Sequence, residues 1–116
     1  MPSMDTSPTS NSPFAYITGN DLDHQAEWAA ETFGPGQRVK GLIEHIRKEL
    51  DEIEANPSDI MEWVDLIVLA IDGATRQDYT GDRILNAYLD KMQENYLREW
   101  PDWRNFSEDE PIEHIR

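Results

Sequence analysis

Residues 61–76 read MEWVDLIVLAIDGATR, and from Trp63 to Ile71 every residue except Asp65 is apolar. This segment reads as a helix that is apolar nearly all round, and such a helix has to be covered on several sides. It is far too short to cross a membrane, which takes ~20 apolar residues. It nevertheless carries Glu62, Asp65 and Asp72. An isolated buried carboxylate is costly enough that it is neutralised or partnered. The acids in this helix therefore constrain both the fold and the chemistry.

Three more helices flank it. Asn20 or Asp21 is placed to cap a first helix, DLDHQAEWAAETF, which Gly34-Pro35-Gly36 ends. A second is expected from Gln37 to Ala55, where Val39, Leu42, Ile43, Ile46, Leu50 and Ile53 form a narrow apolar stripe of helical period. Asn56-Pro57-Ser58 makes the turn, with Ser58 as N-cap of the apolar helix, expected from Asp59 to Gln77. On that register Glu62 is one residue late for a capping box. The fourth, from Asp82 to Glu99, should bury Leu85, Tyr88, Leu89, Met92 and Tyr96 before Pro101 stops it. No strand pattern is present, so the chain reads as all-α with a four-helix core. Residues 1–20, rich in Ser, Pro, Thr and Asn, read as a disordered leader without the features of a signal peptide. The helical domain spans 21–101, and residues 102–116 form an extended tail. Because the apolar helix needs more cover than three short helices give, the bundle is expected to be completed by a second copy, as a homodimer or homotetramer. A central helix within a monomeric bundle is the alternative.

Glu49 and Glu52 share a face of the second helix, and Glu62 and Asp65 share a face of the third. Glu52 and Glu62 are equally far from Pro57, as are Glu49 and Asp65. In an antiparallel hairpin centred on Pro57 these two pairs lie level, and four carboxylates converge. Their repulsion is relieved by protonation or by a hard divalent cation, Mg²⁺ or Mn²⁺, which prefers oxygen ligands. The sequence has no Cys and no HExxH, which argues against zinc. A solvated acidic face is the competing reading. It suits Glu44, Asp51 and Glu54, and suits Asp65 poorly because its chain neighbours are apolar.

A formal net charge of −14 argues against nonspecific binding to nucleic acid or to an anionic membrane. An anionic ligand would need a bridging cation, and a carboxylate-held Mg²⁺ keeps positions for phosphate oxygens. The lack of Cys fits the cytoplasm. Asp72 lies on the face of Asp65, either as a further ligand or as the partner of Arg76 at i+4. His45, one turn before Glu49, either touches a ligand or is an ordinary hydrogen-bonded histidine. Lys91, Asn95 and Arg98 fall on one side of the fourth helix, a pattern that suits a phosphate chain or a solvated face. Trp28 and Phe33 are either core aromatics or a stacking surface for a base.

The pattern E-x-x-E then E-x-x-D, on an all-helical chain, resembles the MazG-like all-α nucleoside triphosphate pyrophosphohydrolases. More narrowly, HQAEWAAETFGPGQRVKGLIEHIRKELDEIE, EWVDLIVLAIDGATR and KMQENYLREWPDW are similar to the small dATP/dGTP branch found in phages and bacteria. The likeness runs from His24 to Arg116. One departure is the short connection, with only nine residues between Glu52 and Glu62. The resemblance implies a four-helix core assembled as dimers or tetramers. It implies hydrolysis of a nucleoside triphosphate to the monophosphate and pyrophosphate, with Mg²⁺ held by Glu49, Glu52, Glu62 and Asp65. Water attacks the α-phosphorus, and Glu49 or Glu52 takes its proton. Lys91 and Arg98 balance phosphate charge, and His24 and Trp28 are candidates for the base pocket. The branch also implies a purine deoxynucleotide substrate, dGTP ahead of dATP.

Two other classes compete. A non-catalytic acidic helical protein could bind a basic partner. A di-iron bundle would want Glu-x-x-His pairs, and none of the four acids has a His three residues on.

Overall fold

The structure, a computed structural model, describes residues 16–116. Most of the leader, residues 1–15, lies outside the described residues. Four α-helices follow in order: α1 Gly19–Phe33, α2 Val39–Ala55, α3 Ile60–Thr75 and α4 Gly81–Leu97. A short 3₁₀ turn, Trp103–Asn105, comes after them. There is no strand among the described residues, so the all-α expectation holds. The chain divides into two compact units, one through Leu85 and one from Asn86 to Arg116.

In the first unit the caps differ from the sequence reading by one to three residues. α1 starts earlier than expected because Thr18, not Asn20 or Asp21, is the N-cap. Thr18 Oγ1 accepts from Asp21 N and Asp21 Oδ2 accepts from Thr18 N at 2.8 Å, a reciprocal capping box. These bonds hold the Asp21 carboxyl below its ordinary range. α2 begins after Arg38, whose backbone lies in the left-handed region at φ 48°, uncommon for a residue with a side chain. α3 is capped by Asp59 rather than Ser58, its carboxylate accepting from Met61 N at 2.9 Å. That shift puts Glu62 at the third helical position, where a negative charge favours the helix start.

α2 and α3 pack as the antiparallel hairpin expected about Pro57, and α1 lies on α3. Gln25 ties α1 down by donating Nε2 to the Val68 carbonyl at 3.0 Å. Among the described residues, Leu22 and Ala29 of α1 and Ile53 of α2 are the buried apolar ones. The start of α4 meets the start of α1, where Gly81 N donates to Asp23 Oδ1 at 2.7 Å. A Cβ on Gly81 would overlap the Gly19 carbonyl, so the absence of a side chain is what permits the approach. 

In the second unit the tail folds back on the end of α4. Trp100 Nε1 donates to the Asn95 carbonyl at 2.9 Å, and Ile115 N donates to the Glu99 carbonyl at 2.9 Å. The apolar stripe of α4 is less buried than expected. Leu85 and Met92 are half-buried, but Tyr88, Leu89 and Tyr96 are exposed. α3 likewise exposes Trp63, Ile67 and Val68.

Candidate functional site

The α2–α3 hairpin brings Glu49, Glu52 and Glu62 together, with one carboxylate oxygen from each within 4.8 Å of the others. Glu49 is the buried member at 6 % exposure, and its Oε1 has no hydrogen-bond partner. Its carboxyl is pushed up to about 7, first by burial, then by the hydrogen bond and charge of Glu52, then by the charges of Asp65 and Glu62. Burial also raises Glu62, helped by the charges of Glu52, Asp59 and Asp65. A proton shared between Glu49 and Glu52 is one way to hold this cluster; a divalent cation is the other.

The acid buried deepest is not the one the sequence singled out. Asp65 is exposed, and it stands beside the cluster rather than within it. The apolar residues next to Asp65 in sequence point to other faces of α3. Asp65 does line a cavity of about 240 Å³ with Glu49, Trp28, Phe33, His45 and Asp72. A second cavity, about 160 Å³, shares Phe33, His45, Leu69 and Asp72 with the first and extends to Arg38 and Arg76. Both lie between α1, α2 and α3.

Of the two roles open to Asp72, the structure takes the pairing with Arg76. Nε of Arg76 is 2.9 Å from Asp72 Oδ1, and both side chains are over nine-tenths buried. Arg76 also donates to the carbonyls of Gly34 at 2.9 Å, Gly36 at 2.8 Å and Ala29 at 3.3 Å. It thereby fixes the Gly-Pro-Gly turn and the end of α1 to the end of α3. The exposed ring of Trp28 stands edge-on to Phe33, centroids 5.4 Å apart. His24 is exposed on α1 and does not line either cavity.

Lys91, Asn95 and Arg98 belong to the second unit. There Lys91 Nζ and Arg98 Nη2 both meet Glu94 Oε1, at 3.0 and 2.8 Å, and these cations lower the Glu94 carboxyl. Asn95 Oδ1 accepts from Arg98 at 3.5 Å. Sequence reasoning passed over Arg38, which lines the smaller cavity. The signal was available: Arg38 mirrors Arg76 about Pro57, as Glu49 mirrors Asp65.

The chain is 36% identical over 91 residues to the Eaa protein of Salmonella phage P22, an alignment that covers 78% of this chain and 27% of that protein. The chain thus spans about a quarter of the length of this curated relative. No solved structure matches. The profile of the dATP/dGTP pyrophosphohydrolase family matches residues 22–116, and the chain belongs to that family.

Proposed function

We propose that this chain hydrolyses a purine deoxynucleoside triphosphate, dGTP ahead of dATP, to the monophosphate and pyrophosphate with the help of Mg²⁺. The observation that carries this reading is Glu49, a buried carboxylate with one unpartnered oxygen and two further carboxylates beside it. The donor set is all oxygen, which suits Mg²⁺ or Mn²⁺. Glu49, Glu52 and Glu62 would hold the ion, with Asp65 at the cavity edge. When bound, it offsets charge on the phosphate oxygens and lowers the pKa of water.

The chain's own residues do the rest. Glu49 or Glu52 takes the proton of the attacking water. The new bond forms to the α-phosphorus as the bond to the bridging oxygen breaks, and pyrophosphate leaves. Trp28, which lines the larger cavity, offers a ring face to the base; the resemblance further implies a phosphate role for Lys91 and Arg98, with Asn95 beside them in sequence, and a base-pocket role for His24. The family supports the substrate and reaction, and the resemblance to its phage and bacterial branch supports the order of bases. The reading includes a homodimer or homotetramer, in which a second copy covers the exposed Trp63, Ile67, Tyr88, Leu89 and Tyr96. It places the reaction in the cytoplasm.

The test is a panel of the four ribo- and four deoxynucleoside triphosphates, each with Mg²⁺ and with EDTA, read for pyrophosphate and monophosphate. Pyrophosphate from dGTP or dATP that EDTA abolishes supports the reading. No release from any of them contradicts it and favours an acidic protein that binds a basic partner.

A further inference from the structure

We propose that the cavity between α1, α2 and α3 reads the base of the substrate as guanine, with Asp72 and Arg38 as the residues that set specificity. This rests on the reading of the chain as a purine nucleoside triphosphate hydrolase.

Two neighbouring cavities share Phe33, His45, Leu69 and Asp72, one lined also by Glu49 and Asp65 and the other by Arg38. Asp65 and Asp72 are seven residues apart on one face of α3, about 10.5 Å along its axis. A nucleotide whose phosphates sit at Glu49 and Asp65 would extend its sugar and base toward Asp72. Phe33 borders both cavities and supplies an aromatic wall.

The polar groups at that end match one base. Asp72 is over nine-tenths buried, and Arg76 holds it through Oδ1. No described residue donates to its Oδ2. An ionised carboxylate only accepts hydrogen bonds and has about four lone-pair sites. Guanine presents N1–H and the 2-amino group side by side, two donors for this carboxylate. Adenine presents a donor beside the N1 lone pair, which the carboxylate repels. Arg38 donates from Nη1 to the Phe33 carbonyl at 2.7 Å, and the rest of its five-donor guanidinium stays in hand. Arginine pairs with O6 and N7 of guanine, whereas glutamine pairs with N6 and N7 of adenine. Arg76 is a positioning residue here, its guanidinium being taken up by Asp72 and three carbonyls.

The test compares kcat/KM for dGTP, dITP, 7-deaza-dGTP and dATP in the wild-type chain, Arg38→Gln and Asp72→Asn. dITP lacks only the 2-amino group and 7-deaza-dGTP lacks only N7. We expect wild type to favour dGTP over each analogue by about ten-fold or more, the worth of one hydrogen bond to a charged group. Arg38→Gln, on an exposed residue, should cut the dGTP-to-dATP ratio of kcat/KM about ten-fold. Asp72→Asn should erase the difference between dGTP and dITP; should it fail to fold, the analogue series and Arg38→Gln still decide. Hydrolysis with all ratios near one, or unchanged by Arg38→Gln, overturns the base site alone. Hydrolysis of no nucleotide by wild type overturns both this site and the reaction.

Discussion

Arg76 Nε lies 2.9 Å from Asp72 Oδ1, and the same guanidinium reaches the carbonyls of Ala29, Gly34 and Gly36. One side chain thus closes the end of α1, the Gly-Pro-Gly turn and the end of α3 around a single buried ion pair. Removing one partner of such a pair leaves the other charge uncompensated, at about 3–5 kcal/mol. We predict that Arg76→Met lowers stability by about that amount in urea or thermal unfolding. Arg47→Ala, which removes an exposed ion pair with Glu44, should change it by less than about 1 kcal/mol.

The junction of α1 and α4 gives a second expectation. A methyl group on Gly81 would overlap the Gly19 carbonyl, so the two helix starts would have to shift apart next to the bond from Gly81 N to Asp23. Gly81→Ala should destabilise the chain by about 1–3 kcal/mol, as overpacking does. Helix propensity alone would predict the opposite sign, so a denaturation curve separates the two effects.

Much of this was legible in the sequence, and the exceptions have physical causes. Apolar period and the Gly and Pro breaks located all four helices, and reflection about Pro57 put Glu49, Glu52 and Glu62 together. The caps were harder. Thr18, Asn20 and Asp21 are all good N-caps, and only the reciprocal bond between Thr18 and Asp21 decides among them. Asp65 was expected to be the buried acid because its sequence neighbours are apolar. A helix turns neighbours to different faces, and Glu49 on the more polar helix is the one enclosed. The stripe on α4 predicted burial of Tyr88, Leu89 and Tyr96, yet an apolar stripe does not say whether its cover comes from the same chain.

The raised carboxyl of Glu49 makes metal-free stability depend on pH. The folded chain holds this proton up to about 7, against an ordinary value of 4.5, because of burial and then the neighbouring acids. A group that binds its proton more tightly when folded favours folding most below its unfolded pKa. That contribution is fully present below 4.5 and is lost as pH rises through about 7. Melting temperature in EDTA should fall across this window. A ligand carboxylate must be deprotonated, so the rise in melting temperature on adding Mg²⁺ should grow over the same range.

The exposed apolar residues of α3 set up a test of assembly. Ile67 is 54% exposed and Trp63 48%. If a second copy covers them, sedimentation should give twice or four times the mass of one chain, and Ile67→Asp should shift it toward a single chain.

The central claim is that the acids of the α2–α3 hairpin drive pyrophosphate release. Its most direct test is Glu52→Gln, a nearly isosteric change at an exposed position, assayed with dGTP and Mg²⁺ beside the wild-type chain. Helical content by circular dichroism should be unchanged, and pyrophosphate release should fall by at least about 100-fold, the scale of a lost general base. Wild-type rates from a folded Glu52→Gln chain would contradict the claim.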